Sequence, residues 1–418
     1  MSDPRTIANS DEPVFLRTGS APSPRDEVAI TAAEFERSFG EEIRAALNLA
    51  NWRIGEDIEK EYARIEREVR GAVERETGLQ REIRAKVFPR LKNRPQAPKS
   101  AGVHAADPKV IERIHKDLLF RGGMEACDGA IQMHQTLPLT IYQIGVALVS
   151  YSGNQGTWSQ RLFRKDLQQS FADRLDAVMA ALERRDERSN GDAMGELVQK
   201  AMLDFAERAI LLHRSSAKWL LGHGNPVTYE LLTGGANLEL MVAATNTIRE
   251  FVERRRQFAF VAEEPREEML LTIGHALRPG EYAIISTLNE RLEHWLHQRR
   301  FAAGIERSLD WDGEVISAAE WIPRFIDRVT SKIAVGLYRA SEVAPAQLFY
   351  AHVDHSEYAA HMVLADSILQ EQRGFPMLAD LAGSVCQTAF AGNLSGLAQN
   401  AYVAAGAPWR YAPIRTGR

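Results

Sequence analysis

The sequence predicts an α/β domain, a mixed sheet flanked by helices, with a long N-terminal helical arm. Short runs rich in β-branched and aromatic residues, such as "TIYQIGVALVSYSG", "EYAIIST" and "AQLFYAHVD", alternate with segments of helical period such as "FAERAILLHRSSAKWLL" and "LELMVAATNTIREFVERRR". Strands alternating with helices indicate an α/β sheet. Ahead of them, apolar residues recur in steps of three and four from Phe35 through Phe39, Ile43, Leu47, Ala50, Ile54, Ile58, Tyr62, Ile65 and Val69 to Val73, which is one stripe on one long helix. That stripe needs a partner: its own domain, a second copy or another protein.

The elements follow in order. Residues 1–30, rich in Pro, Ser and Asp, read as a disordered lead-in with no secretory signal. Residues 31–104 are the helical arm and its linker, where "KNRPQAPKSAGVHAADPK" supplies the linker composition. The main domain is expected over 105–418, opening with the short amphipathic helix "VIERIHKDLLF". Asp128 stands at a strand start or edge before a long apolar strand that turns at Gly153 and Asn154. Residues 164–221 return to helical period, "PVTYELLTGGAN" reads as a short strand ending in glycines, and "QFAFVAEE" and "KIAVGLYRA" as further strands. The C-terminal part is helical, with a break at Gly374, Phe375 and Pro376.

Composition narrows the function. With 45% hydrophobic and 26% charged residues and no apolar run long enough for a membrane span, the chain is expected to be soluble. Cys127 and Cys386 are too few for a disulfide framework or a thiolate zinc site, which suits a reducing, cytoplasmic compartment. A net charge of −5 excludes a wholly basic nucleic-acid-binding surface. Local basic candidates remain in residues 80–99, in Arg254, Arg255 and Arg256, and in Arg299 and Arg300, each of which also reads as an ordinary solvated face.

Three carboxylates share a context. Asp128 precedes Gly129, Glu230 lies in "TYELLTGG", and Glu207 sits on the helix leading there. Carboxylates that converge repel one another unless a cation neutralises them, and Mg²⁺ or Mn²⁺ prefers such oxygen ligands. Taken singly, an Asp before Gly is a turn residue and a Glu on an amphipathic helix is solvated. The histidine-rich "AHVDHSEYAAH" offers His352, Asp354, His355 and His361, but a strand followed by a helix does not point them at one place. "GHGNP" lacks the Lys-Ser/Thr of a phosphate-cradling loop, so ATP-driven work would belong to a partner.

The order "ACDGA", "ERAILL", "VTYELLTG" and "QRGFPMLADLAGSV" over roughly residues 110–390 resembles the NurA nuclease family. That resemblance implies an RNase H-like fold, DNA degradation with Mn²⁺ or Mg²⁺, a HerA-type hexameric ATPase as partner, and a homodimer. It implies Asp128, Glu207 and Glu230 as metal ligands and catalytic residues, with Glu230 in an aspartate place. In the late motif Phe375-Pro376 replaces Tyr-Pro and Gly383 stands where a histidine is expected, so Asp380, one helical turn earlier, is the candidate replacement. The alternatives are a catalytically degenerate assembly or regulatory subunit, and a histidine-metal hydrolase.

Overall fold

A computed structural model describes residues 31–52, 56–94, 97–135, 139–152, 158–166, 197–262, 268–290, 292, 307–390 and 393–408. The lead-in, the turn at Gly153 and Asn154, most of the helical stretch before residue 197, and Arg299 and Arg300 lie outside these residues. The chain divides into two compact units, residues 1–78 and 79–418. Among the described residues, no helix is long and apolar enough to cross a membrane.

In the first unit the expected single helix is interrupted. Helix α1 (Ala32–Phe39) opens on a capping box of Thr31 and Glu34 and stops where Gly40 turns left-handed at φ 74°. The stripe resumes on α2 (Glu56–Lys86), where Tyr62, Ile65, Val69 and Val73 are exposed.

The second unit is built on a nine-stranded mixed sheet. Its strands are β1 (Gly102–Ala105), β2 (Met124–Gln135), β3 (Leu139–Val149), β4 (Trp158–Asp166), β5 (Trp219–His223), β6 (Phe258–Ala262), β7 (Glu281–Thr287), β10 (Ile333–Tyr338) and β11 (Gln347–His352). A separate hairpin joins β8 (Ser308–Trp311) to β9 (Glu314–Ser317). Across the large sheet the order is β1-β7-β10-β11-β6-β5-β2-β3-β4. Strand β2 pairs with β3 antiparallel and with β5 parallel, and β5 runs parallel to β6. The "linker" thus contains a strand, because Val103 and its neighbours pair with Ala283 and the rest of β7.

Alternation along the strands divides the core between two faces. Cys127, Ile144, Phe258 and Phe260 pack toward α4 (Leu203–Arg214) and α6 (Leu238–Glu253). Ala126, Ala147, Ala259 and Val261 pack toward α3 (Pro108–Ile114), α7 (Ser356–Ser367) and α8 (Met377–Phe390). The sheet is therefore sandwiched between helices.

Two sequence expectations are corrected. "KWLL" is not helix: α4 ends at Arg214, and Trp219–His223 is the buried strand β5, whose apolar run mimics continued helical period. "TYELLTGG" is not strand: Thr228 caps α5 (Tyr229–Thr233) by accepting from the Leu231 N–H, and Gly234 ends it at φ 55°.

Candidate active site

Asp128 is neither a strand start nor a turn residue. It lies within β2, one residue beyond the last pair with β5, Cys127 and Gly222. It still pairs with Ala147 on β3. Its carboxylate therefore sits where a parallel strand runs out, and crevices beyond the carboxyl ends of parallel strands are where open α/β sheets bind ligands. The Gly129 N–H donates to Asp128 Oδ1 at 2.9 Å, and His223 Nδ1 lies 3.3 Å from the same oxygen. His223 is the last residue of β5, with its side chain 40% exposed, and the Phe375 ring meets it edge-on at 5.7 Å.

Glu207 approaches from α4 on the other face of β2. Its path is open because residue 129 is glycine: a Cβ there would stand 2.6 Å from Glu207 Oε1. Gly383 does the same on α8, where a Cβ would stand 2.5 Å from Asp128 Oδ2. The missing histidine of the late motif is thus matched to a close approach of α8 to Asp128. A side chain at 383 has no room while the carboxylate holds this position.

Burial pushes the Glu207 carboxyl up to about 7 against the opposing pull of Arg208, and Asp128 and Asp204 add to the rise. Arg208, itself buried, lies 3.2 Å from Glu207 Oε2 and 3.7 Å from Asp204 Oδ1. Its guanidinium also donates to the carbonyls of Asn225 at 2.6 Å and Pro226 at 3.2 Å, fixing the loop that follows β5. Thr228 closes that loop by donating to Asp204 Oδ2 at 2.6 Å. Arg208 thereby holds Glu207 and the base of the His223 loop together.

The other expected residues stand elsewhere. Glu230 occupies the first turn of α5, beyond the clamped loop, because its segment is helix. Asp380 accepts from Gln370 Nε2 at 2.7 Å and pairs with Arg373 Nε at 3.0 Å, so its carboxylate is engaged at the Gly374 turn rather than replacing a ligand beside Asp128. Among the described residues, no group of three or more His, Cys, Asp or Glu side chains is placed to hold a metal, so the expected set of Asp128, Glu207 and Glu230 is not assembled. The histidine-rich segment forms no such group either. His352 is buried, its pKa is pushed down to about 4 by burial, and its Nδ1 accepts from the Asp354 N–H at 3.2 Å. His361 is engaged with the Asp107 N–H and the Glu357 carbonyl.

His223 is the residue that sequence reading misses. Its signal is present: an apolar run ending in His-Gly repeats the pattern of Asp128-Gly129. In the structure it is β5, not "TYELL", that stands beside β2 as the second strand of the site.

No family model and no curated protein matches the sequence. In structure the chain is similar to the NurA nuclease from Sulfolobus solfataricus, with 9% identity and a TM-score of 0.44 over 85% of this chain and 100% of that one. It is similar also to NurA bound to dAMP and manganese, with 10% identity and a TM-score of 0.42 over 83% of this chain and 97% of the other. A more distant likeness is to an endonuclease V from Bacillus subtilis, with 12% identity and a TM-score of 0.28 over 66% of this chain and 82% of that one.

Proposed function

We propose that this chain is a DNA nuclease subunit that hydrolyses phosphodiester bonds at the crevice between Asp128, Glu207 and His223. The observation that supports it is the delivery of two carboxylates from opposite faces of the sheet to the end of β5, through glycines that leave no alternative side chain in the way. A buried Glu207 beside Asp128 is costly for a structural role alone, and perturbed carboxylates in a crevice are a mark of functional sites. The antiparallel run β4-β3-β2 followed by β5 and β6 parallel to β2 supports an RNase H-like core.

A Mn²⁺ or Mg²⁺ ion would be held by Asp128 and Glu207, whose carboxylate oxygens are the donors that such hard cations prefer. When bound, such an ion supplies an activated water and stabilises the leaving oxygen. Asp128 is held in place by the Gly129 N–H. Arg208 neutralises part of the charge on Glu207 and keeps the crevice floor rigid. His223 faces solvent beside Asp128, and an imidazole there can pass a proton to or from a reacting oxygen. The HerA-type ATPase and a homodimer belong to the same proposal and rest on the motif resemblance, while a cytoplasmic location rests on the two lone cysteines, Cys127 and Cys386.

The test is cleavage of labelled DNA by the purified full chain with Mn²⁺ or Mg²⁺. Glu207→Ala is expected to lose at least about a hundredfold in rate, the scale of removing a principal electrostatic group. Undiminished cleavage by that variant would place the chemistry elsewhere.

A second reading, a non-catalytic assembly or regulatory subunit, is favoured by one feature: Glu230 stands on a separate helix, Gly383 occupies the place of a histidine, and among the described residues no three metal donors are brought together. His223→Asp separates the two. A subunit that has lost its site should gain Mn²⁺ affinity or cleavage from the added carboxylate, whereas an enzyme that uses the imidazole should lose rate.

A further inference from the structure

We propose that a basic pocket at the opposite end of β5 from Asp128 docks the phosphate backbone of single-stranded DNA. This rests on the reading that the substrate is DNA. The pocket, about 390 Å³, forms where the turn between α6 and β6 meets the turn between α4 and β5. Lys218, Arg254, Arg255 and Arg256 line it together with His355.

The charges there are in excess. Arg255 Nη2 donates to the Ala217 carbonyl at 2.9 Å and ties the two turns together. Arg254 pairs with Glu250 at 2.5 Å, and Arg256 lies 3.6 Å from Asp354, both in exposed positions. Exposed pairs of this kind are weak, so a phosphate can displace them. Lys218 is exposed and has no ion pair among the described residues. Four cations therefore face two carboxylates, in a protein whose net charge is −5.

Aromatic rings beside the pocket favour nucleic acid over a plain anion. Trp219 follows Lys218 and stacks with Tyr358 at 5.1 Å, while His355 meets Trp219 edge-on at 6.1 Å. Tyr358 is 40% exposed, which leaves it available to a base. Trp219 is buried, so Tyr358 is the ring offered to a base, and cations beside an exposed ring are the equipment of single-strand binding, since phosphates take the charges and bases stack.

From Lys218 to His223 is five strand steps, about 16 Å at ~3.3 Å per residue. A phosphate held at this pocket is thus a different one from the phosphate cut at Asp128. The pocket anchors the strand and the crevice cuts it.

The experiment is fluorescence anisotropy of a labelled single-stranded oligonucleotide with the full chain over a range of salt. The double variant Lys218→Ala/Arg254→Ala should bind about tenfold more weakly. Its slope of log affinity against log salt should fall by about 1.4, at ~0.7 for each phosphate left without its cation. Tyr358→Ala should weaken binding with the slope unchanged. Circular dichroism spectra of both variants should match the parent, which shows that the fold is kept. Unchanged affinity and slope in the double variant overturns the proposal, as does a parent chain that does not bind DNA at low salt. Polyglutamate binding tighter than DNA overturns it in favour of an acidic protein partner. A chain that binds through Lys218 and Arg254 but never cuts sinks the nuclease reading alone, and a chain that cuts with the double variant's binding intact sinks the pocket alone.

Discussion

Glu207 is the residue whose behaviour is most sharply set by its surroundings. Its side chain is 15% exposed and its pKa is raised from 4.5 to about 7, chiefly by burial. A carboxyl that holds its proton more tightly folded than unfolded makes the fold most stable below about pH 4.5, and that stability is lost as pH rises through 7. The penalty is at most on the order of 3 kcal/mol, at ~1.4 kcal/mol per pKa unit. In metal-free protein, Glu207→Gln should therefore raise the melting temperature at pH 8 and leave it little changed at pH 4.5, as read by calorimetry. Equal melting temperatures at pH 8 would show that Arg208 already compensates the charge. Arg208 itself is the opposite case, since a buried cation bonded to Glu207, Asn225, Pro226 and Asp204 leaves several groups unpaired when removed. Arg208→Ala should cost roughly 3–5 kcal/mol in denaturant unfolding, the scale of breaking a buried pair. A cost below about 1 kcal/mol would mean that the loop after β5 is held by other interactions.

At the scale of elements, glycines decide how close the helices come to β2. Glycine to alanine within a helix ordinarily stabilises by about 0.5–1 kcal/mol. Gly396, on the helix Asn393–Ala404, where an added methyl would meet nothing within 4 Å, should follow that rule. Gly383→Ala should reverse the sign, because its methyl meets Asp128 Oδ2 at 2.5 Å. Stabilisation by Gly383→Ala would show that Asp128 moves aside freely. The same elements show what the sequence makes legible. Asp128 and Glu207 can be found because each interrupts an apolar run with an acid, and β3, β6, β7, β10 and β11 announce themselves by β-branched and aromatic residues. His223 is hidden because the apolar residues of β5 continue the period of α4 across Ser215 and Ser216. Glu230 is misplaced because Thr228 and Tyr229 have strand propensity while the capping role of Thr228 depends on a side-chain bond to Leu231 N–H.

At the scale of the whole molecule, each unit presents its own chemistry. The first presents Tyr62, Val69 and Val73 exposed along α2, a stripe of helical spacing consistent with an assembly role. The second carries Asp128 and His223 at one end of β5 and a basic pocket at the other. Whether the crevice hydrolyses DNA turns on Asp128, which sits where the parallel strand ends. The most direct measurement is cleavage of labelled DNA by the full chain and by Asp128→Ala at equal concentration with saturating Mn²⁺. Cleavage by the parent, lost on addition of EDTA and lost in the variant while DNA binding persists, is the predicted result. Equal cleavage by parent and variant would contradict it.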